Sequence, residues 1–192
     1  MKNCLLLISF MLWCGIALGQ RSECKGYIGF TVNSAIPTGD FADNSKNNSK
    51  AGFASTGANI GLVNFGYNFN SRFGIAALWF FSAHAFNGFK NITWGYGGLM
   101  AGPMLTYPIA YNLKLDLKGM LGYARASLSD DNSEIDATGV GFDFGATIRF
   151  NFARRWCFLA NADYFSSDPK FEDFNQKISA LNLGIGIAYR LH

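Results

Sequence analysis

The carboxy-terminal segment alternates without a break. Leu181, Leu183, Ile185, Ile187, Tyr189 and Leu191 fall on one face, and Ala180, Asn182, Gly184, Gly186, Ala188 and Arg190 on the other. One side is wholly apolar and the other small or polar, the period-two pattern of a strand with two unlike faces. From Val140 the pattern recurs, with Val140, Phe142, Phe144, Ala146, Ile148 and Phe150 set against Gly141, Asp143, Gly145, Thr147 and Arg149. From Leu113, the residues Leu115, Leu117, Leu121 and Tyr123 oppose Lys114, Asp116, Lys118, Met120 and Gly122. Five further strands are predicted near Gly26–Ser34, Ala54–Asn68, Phe73–His84, Thr93–Tyr107 and Trp156–Phe165. In the second of these the alternation fails at Leu62-Val63, where an extra residue would form a β-bulge. Helical spacing is hard to find, and the longest uncharged stretch, Asn91–Leu113, is interrupted by glycines and two prolines.

The joints between these eight strands alternate as well. Long ones are predicted at Ala35–Phe53, Ala85–Ile92, Ser127–Gly139 and Ser166–Lys177, and tight ones at Phe69–Arg72, Pro108–Asn112 and Asn151–Arg155. Successive hairpins therefore open toward opposite ends of one barrel. Long loops gather at one end and minimal turns at the other.

Alternation does not say which face is inside; residue size does. A soluble barrel buries its apolar face, whereas a membrane barrel turns bulky apolar residues to lipid and keeps small or polar ones within. Here the apolar faces hold Phe, Leu, Ile and Trp, while the opposite faces are rich in Gly, Ala and Asn. Only 15 % of residues are charged, against about 25 % in an ordinary soluble domain. The ring side chains fall at two levels: Tyr67, Phe73, Tyr107, Phe150, Trp156 and Tyr189 near the short turns, and Trp79, Phe81, Trp94 and Tyr164 toward the long loops. Two such levels are the interfacial girdles of a transmembrane barrel. The expected fold is all-β, an eight-stranded antiparallel up-and-down transmembrane β-barrel in which closure satisfies every backbone group. The formal net charge of +3 is carried by scattered basic residues, which excludes a nucleic-acid footprint.

Residues 1–19 read as a secretory signal peptide and residues 20–192 as the barrel domain. Lys2 precedes an apolar run from Leu5 to Leu18, and Ala17-Leu18-Gly19 supplies the small residues of a cleavage site. The run is shorter than the ~20 residues a spanning helix needs, and Trp13 before Cys14 argues against a lipoprotein anchor. Cleavage leaves Cys24 and Cys157, both expected near the short-turn end. Strand eight separates them by two strand spacings, about 10 Å, so a bridge would require the amino-terminal tail to bend inward.

This chain resembles the small eight-stranded outer-membrane β-barrels of Gram-negative bacteria, the OmpA/OmpX-like barrel domains, and especially the Bacteroidetes-type proteins. The marks are Ile36-Pro37-Thr38-Gly39-Asp40-Phe41 after the first strand, Gly102-Pro103 in the fourth, and Asp163-Tyr164 with Pro169-Lys170-Phe171 near the seventh. The last strand also resembles the signal read by the barrel-insertion machinery, through Gly186, Tyr189 and Leu191, although this chain ends in Leu191-His192 where the family has an aromatic residue. What the resemblance implies is a multi-pass protein of a Gram-negative outer membrane, surrounded by outer-membrane lipid and placed by that machinery. No catalytic residue comes with it. No peptidoglycan-binding domain is expected after strand eight.

Candidate chemistry lies on the inward faces. Parity points Lys114, Asp116, Lys118, Asp143, Arg149, Asp163 and Arg190 into the bore, as a polar network of ion pairs or as an ion path. His84 shares the inward face with Ser82, but no carboxylate is placed to orient it as a triad requires. The order Ser82-Ala83-His84 also lacks the serine-after-histidine arrangement of the barrel lipid A deacylases. Asp130, Asp131, Glu134 and Asp136 are expected together in one solvated loop, with spacing unlike an EF-hand. No catalytic residue, metal site or cofactor is therefore predicted. The favoured role is structural or adhesion-like, through four long extracellular loops, with the Asn/Ser/Lys-rich tip of Ala35–Phe53 the best contact for an extracellular partner. Alternatives are a conduit for small or hydrophobic solutes, a membrane-embedded lipid hydrolase, and a soluble lipocalin-like barrel.

Overall fold

The alternating segments close on one another. A computed structural model describes residues 25–191 apart from 89–90, 131–132 and 172–174. Its strands are β1 (Gly26–Pro37), β2 (Gly57–Asn68), β3 (Phe73–Ala85), β4 (Thr93–Ala110), β5 (Leu113–Ser129), β6 (Glu134–Phe150), β7 (Trp156–Ser167) and β8 (Ile178–Leu191). Each pairs antiparallel with the next, and β8 returns to β1 through a ladder running from Gly26↔Leu191 to Pro37↔Ala180. The predicted signal peptide and Cys24 lie outside the described residues. Cys157 is buried, with Sγ 3.6 Å from the carbonyl oxygen of Ala188.

The wall is oriented as residue size requires. Along β6, Val140, Phe142, Phe144, Ile148 and Phe150 are exposed, while Asp143, Thr147 and Arg149 are buried. On β8, Leu183, Ile185 and Ile187 face outward, and Asn182 and Ala188 face the bore. A soluble barrel would show the reverse, so this exterior is built for hydrocarbon. No helix among the described residues is long and apolar enough to cross a membrane; the crossing elements are strands.

The predicted bulge is at Leu62. On β3, Phe80 and Trp79 pair with Gly61 and Val63, leaving Leu62 unopposed. Before it the odd residues Asn59 and Gly61 point inward; after it the even residues Asn64, Gly66 and Asn68 do. The extra residue thus keeps polar and small side chains in the bore along the whole strand.

Two expectations need correction. Ser127–Gly139 is not a long loop, because β5 and β6 stay paired up to Ser129↔Glu134 and leave only residues 130–133 as the turn. Its charges lie on the outward face of paired strands, where Arg125 Nε donates to Asp136, while Ala126 and Ala137 on the inward face are buried. Glu134 and Asp136 lie on β6, and Asp130 accepts the Ser133 N–H in the turn at 2.7 Å; Asp131 lies outside the described residues. Ala54 is likewise an isolated bridge to Phe86 rather than the start of β2. Three long connections remain, at residues 38–56, 86–92 and 168–177.

Candidate functional site

The bore divides into a polar half toward the short turns and an aromatic half toward the loops. Of the seven predicted inward residues, Lys114, Asp116, Lys118, Asp143, Arg149 and Asp163 are buried inside. Arg190 sits half-buried at the short-turn mouth, where its Nη1 donates to the carbonyls of Ala153 and Arg154 in the β6–β7 turn, each at 3.1 Å.

In the polar half Arg149 is the organising cation. Its Nη2 donates to Asp116 Oδ1 at 2.9 Å, and its guanidinium carbon lies 4.8 Å from the centroid of the Tyr27 ring. Thr106 Oγ1 donates to the same Asp116 oxygen at 2.6 Å, and Asn68 Nδ2 donates to Thr106 at 3.1 Å. A carboxylate holding two donors beside a cation over a π-face offsets much of the burial cost of both charges. Lys118 and Asp163 form a second pair at 3.7 Å across β6, with both side chains almost fully buried. The residue between them in register is Gly145, and any Cβ there would collide with the Asp163 carboxylate. The three cations and three anions of this buried set are balanced.

An amide chain links β7, β1, β2 and β3: Asn161 Nδ2 donates to Asn33 Oδ1 (2.6 Å), Asn33 Nδ2 to Asn59 Oδ1 (2.7 Å) and Asn59 Nδ2 to Ser82 Oγ (2.8 Å). It passes β8 where Gly184 leaves room. Buried amides in unbroken donor-to-acceptor order hold a single arrangement of the strands.

The loop-end half contradicts the expectation that small and polar residues fill the bore. Phe80, Tyr96 and Phe165 are buried with centroids 5.1–6.2 Å apart. Trp94, predicted for the outer girdle, is also inside, 2 % exposed, with Nε1 donating to the Gly52 carbonyl at 2.7 Å. Large rings fit because facing positions are vacant: a Cβ on Gly141 would crowd Met100 and Phe165. A narrow bore must be filled, and here ring-against-glycine pairing fills much of its loop-end half.

The first long connection seals the mouth. Its 3-10 turn Gly39–Phe41 places Phe41 fully buried, edge-on to His84, Trp94 and Tyr96 at 5.3–6.0 Å. Thr38 N–H donates to Ser179 O, and Ser55 N–H to Ala85 O, pinning the segment to both sides of the rim. Farther out, Asn48 Nδ2 and the Ser45 N–H donate to Asp43 and hold its carboxyl below the usual range. From the opposite rim Phe171 packs on Trp94. Phe41 and Phe171 belong to motifs singled out in the sequence, but nothing in period-two alternation places loop residues inside a barrel.

His84 and Ser82 are both buried here. The His84 ring engages other groups: Nδ1 is 2.8 Å from the Ser55 carbonyl oxygen, Nε2 is 3.3 Å from the Tyr96 hydroxyl, and the ring stacks on Tyr96. Ser82 Oγ accepts from Asn59. The arrangement braces the aromatic plug and the loop above it.

Comparison with solved structures gives the same architecture. Neisserial surface protein A aligns over 86 % of this chain and 97 % of its own at 14 % identity, with a TM-score of 0.64. OprG of Pseudomonas aeruginosa aligns over 88 % and 97 % at 14 % identity, with a TM-score of 0.53. At such identity the likeness is one of fold. No curated protein sequence matches the chain. Residues 5–190 match the outer membrane protein beta-barrel domain family. With an exterior built for lipid and a closed eight-stranded wall, the chain belongs to that family and is an integral β-barrel of the Gram-negative outer membrane.

Proposed function

We propose that this protein is a non-enzymatic outer-membrane barrel that acts at the cell surface, as a structural or adhesion-like element, through the connections above its loop-end mouth. The observation that carries this reading is the filled bore. An ion network, an amide chain and a ring stack occupy it, and Phe41 caps them. A wall so braced is a rigid stalk, and the connections that can meet a partner lie outside it.

The β5–β6 hairpin is the most prominent contact surface. The pairing of β6 with β7 begins at Gly141↔Ser167, so Glu134–Val140 rise beyond that partner and pair with β5 alone among the described strands. A strand paired on one side offers backbone donors and acceptors to an extended partner segment. Across the mouth from it, the connection 38–56 carries an Asn/Ser/Lys-rich tip at 44–50. Outer-membrane lipid around the wall, and the insertion machinery reading β8, complete the partners proposed.

Purified protein in planar bilayers should give no reproducible conductance, and cells displaying it should bind a protein- or glycan-coated surface more than cells displaying a variant with residues 44–50 replaced by a short Gly/Ser turn. Steady single-channel currents would favour the conduit reading instead. Equal binding by both cell types would remove that loop from the role.

A further inference from the structure

The charges of the described residues are sorted by end. Every side-chain carboxylate lies either inside the bore, as Asp116, Asp143 and Asp163 do, or at the loop end. At the short-turn end the exposed charges are Lys25, Arg72, Arg154 and Arg155, all of them cations. Arg190 adds a fifth at the mouth. Short turns of an outer-membrane barrel face the periplasm, so the cationic end meets the inner leaflet.

Four of the five cations gather in one corner. Arg154 and Arg155 close the β6–β7 turn, Arg190 is on β8, and Lys25 precedes β1, which pairs with β8 from Gly26↔Leu191. The Arg190 N–H donates to the Arg155 carbonyl at 2.9 Å, and its Nη1 to the carbonyls of Ala153 and Arg154. Three oxygens that would repel an anion at this turn are thereby occupied by donors of Arg190. Arg154 and Arg155 are themselves exposed and make no ion pair among the described residues, which leaves their guanidinium donors for a ligand.

Depth in the membrane decides what that ligand is. Trp156 follows Arg155 directly and meets Tyr189 edge-on at 5.6 Å, while Phe152, in the same turn, stacks on Phe158 at 4.4 Å. These exposed rings belong to the short-turn girdle, which marks the boundary between acyl chains and head groups. Cations one or two residues from them stand at the level of lipid phosphates, where clustered Lys and Arg favour anionic heads. The ammonium of a zwitterionic head would meet four cations and no carboxylate.

We propose that this corner binds an anionic phospholipid of the inner leaflet, its phosphate held by Arg154 and Arg155 beside Arg190 and Lys25, its acyl chains passing Trp156 and Phe158. The inference is independent of the surface role proposed above. Such a contact fixes the depth of the short-turn end in the bilayer.

Native mass spectrometry of the full-length barrel, released from mixed micelles holding equal phosphatidylglycerol and phosphatidylethanolamine, tests it. The wild type should retain one phosphatidylglycerol in preference to phosphatidylethanolamine. Replacing both arginines, Arg154→Gln with Arg155→Gln, removes charge-assisted contacts and should lower that retention about tenfold. Each single replacement should lower it less, and decides the matter if the pair fails to fold. Arg72→Gln, in the β2–β3 turn across the barrel, should leave retention unchanged, and so should added inorganic phosphate. Equal retention of the two lipids by the wild type, or retention undiminished by the arginine replacements, would overturn the proposal. So would an equal loss with Arg72→Gln, which would mean diffuse charge, or displacement by phosphate, which would mean a site for free anions.

Discussion

Asp116→Ala should destabilise the barrel by about 3–5 kcal/mol, the usual result of stripping a buried ion of its partner. Asp116 is fully buried and receives both Arg149 Nη2 and Thr106 Oγ1 on one oxygen. Alanine there leaves a guanidinium that is 2 % exposed with its ring contact to Tyr27 but no carboxylate. Paired replacement, Asp116→Leu with Arg149→Met, should recover most of the loss, because removing both charges together also removes their desolvation cost. Urea unfolding in lipid vesicles, followed by tryptophan fluorescence, measures all three proteins. If the single and double replacements lost the same stability, the pair would not be acting as a unit.

Phe144→Arg should cost about 2–4 kcal/mol, and Phe150→Arg about 1 kcal/mol or less, since a cation on the lipid face is most costly at the bilayer midplane. Phe144 is 63 % exposed on β6 and lies partway between the short-turn end and the hairpin above the membrane. Phe150 ends the same strand at the short-turn level, where an arginine can snorkel to head groups. The same vesicle unfolding assay applies. In a water-facing wall both substitutions would be close to neutral, so the gradient between two phenylalanines of one strand reports the medium outside.

How much of this was readable from sequence depended on whether the two faces of a strand differed in size. In β8 from Leu181 and in β6 from Val140, every outward residue is larger or more apolar than its inward neighbours, and the structure follows that alternation. The Leu62 bulge was legible because it broke a period. In β4 the rule inverts near the loop end: Trp94 and Tyr96 lie inside and Gly95 and Gly97 outside. Ring size alone therefore put Trp94 in the wrong place, since the space it fills is made by residues on other strands. The six buried charges were identified as an inward set, but their pairing was not, because Lys118 reaches Asp163 only through register and the missing side chain of Gly145. The hairpin Ser127–Gly139 looked like a loop because its charges are those of any water-exposed segment. Phe41 escaped notice as a plug because a tertiary contact, not a local pattern, turns it inward.

The protein's place in the membrane depends on which way the wall faces. The direct measurement is nitroxide scanning of β6 in lipid vesicles, one cysteine at a time from Val140 to Phe150 in a background without the native cysteines, reading collision with oxygen dissolved in the bilayer. Oxygen access should peak at 140, 142, 144, 146, 148 and 150 and fall at every odd position between them. Peaks at the odd positions, or access without a two-residue period, would contradict it.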